Sequence, residues 1–319
     1  MKLRPLLYLL PILFAGINLL SSCDDIIEPS ISKSIVNPEA PANQYVSTNY
    51  NINFWWDPVN HALTYHLQVV TPTFAAPGNL ILDTVIAANK FSFTMSPGNY
   101  QWRVMAENGS SQTAYSTPKS FTIALSSITQ QTVLLNAPAN NSLTNQSSTT
   151  FQWGSLYGAT QYRLEIDTNN FANANSLVLN QAYSGQQVNF TFPKNQAYQW
   201  RVRAENDTAQ SQWSAINIVT FDNIPPAAPT LISPANAATV SLPVSLQWNA
   251  SATAVKYKVY IFQSDSVTLY NSSFPVQVTT TSYSFNLGTS GSKVYWKVTA
   301  FDAAGNESAA STLNNFVLQ

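Results

Sequence analysis

Only 9% of the 319 residues are charged, and 14 basic and 15 acidic side chains leave a net charge of −1. Globular domains usually carry about 25% charged residues, so Asn, Gln, Ser and Thr must supply much of the polar surface. The sequence has no basic patch of the kind that binds nucleic acid, so nucleic acid is not an expected partner. The composition is more typical of an extracellular β protein than of a cytosolic enzyme.

The N-terminus resembles a lipoprotein signal peptide. A short basic start precedes an apolar run over residues 6–20, which is too short and interrupted to span a bilayer comfortably. The run ends in Leu20-Ser21-Ser22-Cys23, which resembles the bacterial lipobox, in which the cysteine is acylated and becomes the first residue. Because Cys23 is the only cysteine, it cannot form a disulfide within one molecule. We therefore expect a signal peptide over residues 1–22 and a membrane anchor through lipid on Cys23; the alternative is an ordinary signal peptide with an incidental cysteine.

Acidic residues follow the cysteine directly, at Asp24 and Asp25. In Bacteroidetes lipoproteins such residues resemble the signal for export to the outer face of the outer membrane. In proteobacteria an Asp there resembles an inner-membrane retention signal. The style of the repeats below favours the first, so the expected location is the outer membrane, lipid-anchored and exposed at the cell surface. Residues 23–37 have no sustained apolar period and predict a flexible acidic tether.

A unit of about a hundred residues then occurs three times. Its framework tryptophans, Trp56, Trp153 and Trp248, lie 97 and 95 residues apart, so each unit is a domain rather than a solenoid turn. Apolar and polar residues alternate with a period of two, which indicates half-buried strands, and no amphipathic helix is evident after residue 20. About seven strands per unit predict an all-β chain of two-sheet antiparallel sandwiches.

The residues that carry this pattern resemble those of fibronectin type III domains. They are the inward tryptophan of the second strand, the tyrosine that opens the third strand (Tyr65, Tyr162, Tyr257) and a sixth-strand run in which tyrosine, an apolar residue and alanine face inward. This chain departs from the family in having Trp102, Trp200 and Trp296 where an aliphatic residue is usual. In the third unit Val294 replaces the sixth-strand tyrosine, which puts the corner of that unit in doubt.

The resemblance implies three fibronectin type III-like (immunoglobulin-like) β-sandwiches after the lipoprotein signal peptide. Their expected bounds are 38–124, 133–222 and 227–319. The first linker, around residues 126–131, has a pliant composition, whereas the proline-rich second linker should stay extended and semi-rigid. We therefore expect the second and third units to move as one arm.

The sequence offers no catalytic constellation. Its two histidines, His61 and His66, are expected to be solvated, and a zinc site needs three or four ligands. No nucleophile elbow, glycine-rich phosphate loop or carboxylate cluster is evident. We predict that the protein is not an enzyme and needs no metal or cofactor.

A candidate ligand face lies on the third unit, where strand parity turns Tyr260, Tyr295 and Phe301 outward beside Lys258 and Lys297. The rings could stack on sugars, or they could pack against one another or against a neighbouring domain. Because Tyr295 and Phe301 are six residues apart, about 20 Å along a strand, at most one of them can lie beside Tyr260.

Two further features concern the other units. Trp55 must face away from the buried Trp56, so it is either a contact residue or is capped by the tether or a loop. In the second unit the equivalent outer face predicts a ladder of ion pairs and cation–π contacts on a solvated sheet; its members are Arg163, Glu165, Arg201, Arg203, Glu205 and Trp213.

An Asp-Ser/Thr-aliphatic triplet occurs once in each unit and resembles the O-glycosylation motif of exported Bacteroidetes proteins. Its candidate acceptors are Thr84, Thr208 and Ser266, all expected outside the framework strands. The segment 302–306 is expected to be a plain turn, with calcium binding as the alternative.

Together these features predict a non-catalytic cell-surface lipoprotein that acts as a binding or adhesion module for a protein or glycan ligand. One alternative is a structural spacer. The other is a glycan-binding accessory lipoprotein of a polysaccharide-uptake system.

Overall fold

The computed structural model describes residues 28–319. The signal peptide, Cys23, Asp24 and Asp25 lie outside the described residues, so the anchor and the export signal stay predictions. Within the described range no helix is long and apolar enough to cross a membrane.

The first sandwich packs a three-stranded sheet, ordered β1-β3-β6, on a five-stranded sheet, ordered β2-β8-β7-β4-β5. Its strands are β1 (Pro38–Ala40), β2 (Tyr45–Ser47), β3 (Asn51–Trp56), β4 (Thr64–Pro72), β5 (Pro77–Ile86), β6 (Lys90–Thr94), β7 (Gly98–Glu107) and β8 (Lys119–Ile123).

The other two sandwiches repeat this arrangement. The second contains β9 (Leu135–Ala137), β10 (Ser142–Thr144), β11 (Ser148–Trp153), β12 (Gln161–Asp167), β13 (Leu179–Tyr183), β14 (Gln187–Thr191), β15 (Gln196–Glu205) and β16 (Asn217–Phe221). The third contains β17 (Leu231–Ser233), β18 (Ala238–Val240), β19 (Val244–Trp248), β20 (Ala254–Phe262), β21 (Val276–Val278), β22 (Ser282–Phe285), β23 (Lys293–Asp302) and β24 (Asn314–Leu318). The prediction of an all-β chain of three fibronectin type III-like sandwiches is confirmed.

Each sandwich has eight strands rather than the expected seven because its first strand is split. The first piece pairs with one sheet and the second piece with the other; in the first sandwich β1 pairs with β3, and β2 pairs with β8. Each break contains a proline, which cannot donate to a ladder, and a residue with positive φ. The positive-φ residues are Gln44 (62°), Asn141 (60°) and Ala237 (61°).

The framework residues form the cores. The inward tryptophans of the second and sixth strands are at most 2% exposed in every sandwich, as the period-two pattern predicts; they are Trp56, Trp102, Trp153, Trp200, Trp248 and Trp296. The tyrosine that opens each third strand turns its hydroxyl to accept a backbone N–H six residues earlier. These bonds run from Val59 to Tyr65 (2.9 Å), from Leu156 to Tyr162 (2.8 Å) and from Ser251 to Tyr257 (3.1 Å).

The corner before the sixth strand differs in the third sandwich. The hydroxyls of Tyr100 and Tyr198 donate to the carbonyls of Ser96 and Lys194, at 2.8 and 2.9 Å. Val294 is fully buried at the equivalent place and has no hydroxyl to make this bond. The third sandwich therefore closes its corner by apolar packing.

The N-terminal segment is docked on the first sandwich rather than free, so the expected tether over 23–37 is wrong for residues 28–37. Glu28 accepts the backbone N–H of Gly109 at 2.7 Å, and the N–H of Ile31 donates to the hydroxyl of Ser111 at 2.8 Å. Ile31 and Val36 are each 2% exposed and belong to the core. Burial of these two apolar residues supplies the docking energy that a sequence pattern this short does not reveal.

The first linker is also ordered. A single 3₁₀ turn, Ile128–Gln130, precedes Gln131, which is 1% exposed. The Gln131 side chain accepts the N–H of Tyr50 at 2.9 Å and donates to the carbonyl of Thr48 at 2.8 Å. Both ends of its amide are therefore bonded to the first sandwich.

Tyr50 completes the contact between the first and second sandwiches, which we call the first joint. Its hydroxyl donates to the carbonyl of Ser126 at 2.9 Å, and its ring meets Tyr157 of the second sandwich edge-on at 6.2 Å. The buried residues of the first two sandwiches consequently form one continuous cluster that includes Ile128 and Val133. The expectation of a pliant first linker is wrong, because buried hydrogen bonds and shared apolar contacts fix it.

The second joint, between the second and third sandwiches, is polar. The amide of Asn306 donates to the carbonyl of Asp222 at 2.8 Å, while the buried residues of the third sandwich form a cluster of their own. The Asp302 carboxylate accepts the N–H groups of Gly305 and Asn306 at 2.8 and 2.9 Å, which makes this segment a hydrogen-bonded turn. The better-packed joint thus lies between the first and second sandwiches, contrary to the expectation of a single arm formed by the second and third.

Candidate functional site

The outer face of β20 and β23 in the third sandwich combines cations and aromatic rings. Its residues, which we call the lysine–aromatic face, are Lys256, Lys258, Tyr260, Phe262, Lys293, Tyr295, Lys297 and Phe301. Alternation along the two strands turns them outward, and all of them are at least partly exposed except Phe262, which is 8% exposed. The segment 227–319 contains four lysines and no arginine, so every basic side chain of this sandwich lies on one face.

Cross-strand register sets which of these residues are neighbours. Lys297 pairs with Tyr260, Tyr295 pairs with Phe262, and Phe301 pairs with Lys256. Neither of the two candidate rings therefore stands directly opposite Tyr260. The cation Lys297 occupies that position instead. Strand parity alone did not predict this pairing, because parity does not determine the register between two strands.

Each ring carries a nearby ammonium group. The Lys258 nitrogen lies 4.6 Å from the Phe301 ring centre, and the Lys297 nitrogen lies 5.4 Å from that of Tyr260. The Lys293 nitrogen lies 5.0 Å from the Tyr295 ring. Such contacts contribute about 0.5–1 kcal/mol each at exposed sites, so they hold the side chains in place without neutralising the charge.

One carboxylate touches the face. Glu307 accepts the hydroxyl of Thr299 at 2.7 Å and approaches the Lys258 ammonium at 3.5 Å and the Tyr260 hydroxyl at 3.4 Å. Four cations against this one acid leave the face strongly positive in a protein whose total charge is −1.

The second sandwich carries an arginine ladder on the same strands. Arg163 binds Glu205 at 2.7 Å, Arg203 binds the same carboxylate at 2.8 Å, and Arg201 binds Glu165 at 2.8 Å. Although burial by itself would raise the pKa of the Glu205 carboxyl, the hydrogen bonds from Arg163 and Arg203 hold it below its usual value.

Aromatic rings cover this ladder. The Arg201 guanidinium lies 4.3 Å from the ring of Trp213 and 4.1 Å from that of Phe171, and Arg203 lies 4.7 Å from Trp213. The predicted ion-pair and cation–π ladder is confirmed. Its charges are internally satisfied, so it offers little to a ligand.

The first sandwich pairs its charges too. His66 is bonded to the Asp83 carboxylate and, at 2.9 Å, to the Tyr115 hydroxyl, so the prediction of a solvated His66 is wrong. Burial raises the pKa of the Tyr115 hydroxyl, and the Arg103 guanidinium partly opposes that rise. His61 lies in a loop where its backbone carbonyl accepts the Asn108 amide at 3.0 Å. Residues 28–319 contain no cluster of three or more His, Cys, Asp or Glu that could hold a metal ion.

Trp55 lies on the other sheet of the first sandwich, where it pairs with Ala40 and Lys90. It is 45% exposed, so neither the docked N-terminal segment nor a loop covers it fully. It belongs to a different sandwich from Tyr260, and the two do not form one site.

The candidate glycosylation residues differ in setting. Thr208 is exposed in the turn after β15, where its hydroxyl donates to Asn206 at 3.1 Å. Ser266 is partly exposed in the loop after β20. Thr84 instead lies inside β5, half-buried opposite the core residue Leu67. The structure favours Thr208 and Ser266 over Thr84 as acceptors, because only those two lie in loops.

Three members of the lysine–aromatic face, Lys256, Phe262 and Lys293, were not predicted from the sequence. Each has the same parity as the predicted members, and Phe262 follows Tyr260 by two positions. Extending the alternation to both ends of each strand would have found them.

No protein-family model and no curated protein matches the chain. Among solved structures it is similar to the FN1–FN3 domains of chicken CNTN1, with 15% identity, a TM-score of 0.40, and coverage of 89% of this chain and 97% of that one. It is also similar to domains A168–A170 of titin, with 12% identity, a TM-score of 0.39 and the same coverages. Fibronectin(III)-like modules of Clostridium thermocellum CbhA match with 11% identity, a TM-score of 0.39, and coverage of 59% of this chain and 94% of that one.

Proposed function

We propose that this protein is a non-catalytic binding lipoprotein of the outer-membrane surface that holds an acidic polysaccharide on its lysine–aromatic face. Fibronectin type III-like modules are commonly binding or adhesion modules. A fold does not specify a function, so the proposal rests on one observation: all four basic side chains of the third sandwich share a single sheet face with the partly exposed rings of Tyr260, Tyr295 and Phe301.

The chemistry of this face suits an acidic sugar polymer. Aromatic rings on a flat sheet can stack on sugar rings, and ammonium groups bind carboxylate or sulfate groups. Residues on one face of a strand are about 6.8 Å apart, so the five rows from Lys256 to Lys293 span about 27 Å. An open sheet face of this length fits a linear polymer better than a small molecule, for which ligand sites are usually concave.

The docked N-terminal segment supports a surface anchor. Five residues, 23–27, separate the proposed lipid on Cys23 from the docked Glu28, and an extended chain of that length reaches at most about 17 Å. Glu28 contacts the loop after β7, whereas the second sandwich follows β8, whose end pairs with Gly98 at the start of β7. The anchor and the rest of the chain therefore leave the first sandwich at opposite ends of β7.

Binding is tested by retention of the protein on an immobilised polyuronate, with dextran as an uncharged comparison. We expect retention on the polyuronate that weakens with salt, and a loss of at least tenfold in the Lys258→Gln, Lys297→Gln variant. Lys33→Gln with Lys194→Gln makes the same charge change at exposed sites elsewhere and should bind normally. The proposal is wrong if the wild type does not bind, or if the control pair loses as much affinity as the face pair.

A ring variant separates stacking from charge. Tyr260→Ala with Tyr295→Ala should remove retention on the polyuronate while leaving the melting temperature nearly unchanged, because partly exposed rings contribute little to the core. If the double variant melts well below the wild type, the rings are structural, and the alternative function of a spacer is favoured. The fixed first joint supports that alternative. Transporter and glycosidase genes beside this one would favour a role in polysaccharide uptake.

Anchoring is tested separately. Cys23→Ala should release the protein from the membrane fraction, and mass spectrometry of the wild-type N-terminal peptide should show acyl chains. Asp24→Ala with Asp25→Ala should keep the lipid but protect the protein from protease added to whole cells. Retention of the cysteine variant in membranes would contradict the anchor, and unchanged protease sensitivity would remove the acidic pair as the export signal.

A further inference from the structure

A cleft of about 720 Å³ lies at the first joint, between the first two sandwiches. One wall is β6; the other consists of residues 134–136, where β9 begins, with Gly154 and Ser155 after β11. The buried hydrogen bonds of Gln131 and Tyr50 fix the joint, so both walls are held in place. The cleft is therefore preformed and needs no closure of one sandwich on the other.

The wall formed by β6 is an open strand edge. Within the part of the chain that the structure describes, β6 pairs only with β3. The N–H of Met95 donates to the carbonyl of Tyr50, so antiparallel alternation directs the backbone groups of the odd-numbered residues toward β3. Lys90, Ser92 and Thr94 consequently present their N–H and C=O groups to the free edge.

The side chains in the cleft are mostly apolar. The rings of Phe91 and Phe93 stack 6.3 Å apart and are only half-buried. Leu134 and Leu135 face them from the second sandwich, and Lys90 is the only charged residue in the lining. The cleft thus offers two apolar walls, a row of backbone groups and one cation.

Gly154 brings the walls together at one end. The framework tryptophans of the other two sandwiches are followed by Asp57 and Asn249, and Trp153 is followed by this glycine. A Cβ at position 154 would lie 2.9 Å from the Thr94 hydroxyl oxygen, closer than ordinary van der Waals contact. The missing side chain therefore lets the second sandwich approach the end of β6.

We propose that this cleft binds an extended peptide segment that adds to β6 as a further strand. An extended chain matches the alternating N–H and C=O groups of a free edge, and every second side chain would enter the apolar space between the phenylalanine and leucine walls. The single positive charge at Lys90 favours a segment that carries a carboxylate at that end. The proposal is independent of ligand binding by the third sandwich.

The test uses an array of eight-residue peptides with alternating Val, Ile and Thr and a glutamate at either end, probed with the full chain. Peptides that bind are then titrated in solution by fluorescence anisotropy. Ser92→Pro removes the N–H that faces the edge, a position where a strand tolerates proline, and should weaken binding at least tenfold. Ser92→Ala loses only the hydroxyl, which donates to Asn53, and should bind normally.

The third sandwich supplies a matched control. Ser284 of β22 pairs with Ser245 as Ser92 pairs with Asn53, so Ser284→Pro makes the same change at an equivalent edge outside the cleft. That variant should bind like the wild type, and Lys90→Gln should weaken the glutamate-bearing peptides.

Methylation of every peptide nitrogen tests the mechanism on the unmodified protein, since a fully methylated strand has no N–H group to donate to an edge. Methylated peptides should not bind. The proposal is overturned if no peptide in the array binds, if methylated peptides bind as well as the parent, or if Ser284→Pro weakens binding as much as Ser92→Pro.

Discussion

The outer faces of the second and third sandwiches use equivalent strands in the same register, yet they differ in how their charges are paired. The arginines of the second face form ion pairs with two carboxylates, whereas most lysines of the third face lack a carboxylate partner. Glu165 pairs with Arg201 in the second sandwich, and Tyr260 pairs with Lys297 at the equivalent place in the third. Glu205 is likewise replaced by Phe301. Both carboxylates of the ladder have become aromatic rings while cations remain beside them.

Under the proposed function, this difference is how a fixed scaffold acquires a binding surface. Without the two acids, Glu307 beside Lys258 is the one carboxylate near the four lysines of the face, and the rings supply apolar area. The exchange leaves the core untouched, because outward positions of a strand contribute little to inter-sheet packing. Function on such a scaffold therefore depends on a few outward positions.

The largest effect we expect comes from breaking the cores. Trp153→Ala and Trp248→Ala should each cost about 3–5 kcal/mol of unfolding free energy, but the two variants should destabilise different parts of the molecule. Loss of the second core removes the packing partner of Tyr50, so the first sandwich should also lose stability, whereas loss of the third core should stay within the third sandwich.

Hydrogen exchange resolved by segment measures which sandwiches each variant destabilises. Faster exchange in residues 38–123 for Trp153→Ala, together with unchanged exchange in residues 28–222 for Trp248→Ala, would agree with the two joints described above. Equal spread from both variants would contradict the difference between the joints.

A smaller effect concerns acid stability. The pKa of Glu205 is lowered in the folded protein, so its contribution to stability is present above the unfolded pKa, near 4.5, and is lost as the pH falls through the lower folded value. The third sandwich has Phe301 at this position and therefore no carboxylate there. Glu205→Gln should cost about 2 kcal/mol at neutral pH, because Arg163 and Arg203 lose a buried partner.

Thermal unfolding between pH 7 and pH 3 provides the measurement. The wild-type second sandwich should lose stability toward the acid end more steeply than the Glu205→Gln variant does. If the two proteins have parallel pH profiles, the carboxylate does not carry the stability that its ion pairs indicate.

The sequence predicted those parts of the molecule that depend on local pattern. Period-two alternation identified both the buried tryptophans and the outward side of Tyr260. It could not predict that Lys297 would stand opposite Tyr260, because register depends on a strand almost 40 residues away. The same limit applies to Gln131, which is polar in a polar stretch and is buried only because Tyr50 and Thr48 meet it.

The smallest effect on stability, and the sharpest test of the comparison, comes from exchanging the faces. Tyr260→Glu with Phe301→Glu restores both acids to the third sandwich and should abolish retention on the polyuronate, since the lysines gain charged partners. The reverse exchange, Glu165→Tyr with Glu205→Phe, frees three arginines in the second sandwich and should add polyuronate binding at the expense of the stability that the ion pairs provide.

Each substitution in the third sandwich should change the unfolding free energy by less than about 1 kcal/mol, because cross-strand pairs at outward positions of a sheet contribute about that much. Retention measured at several salt concentrations decides the outcome: persistent salt-sensitive binding after the first exchange would show that the face is not the site, whereas loss there with gain in the second sandwich would show that two outward positions on each face determine binding.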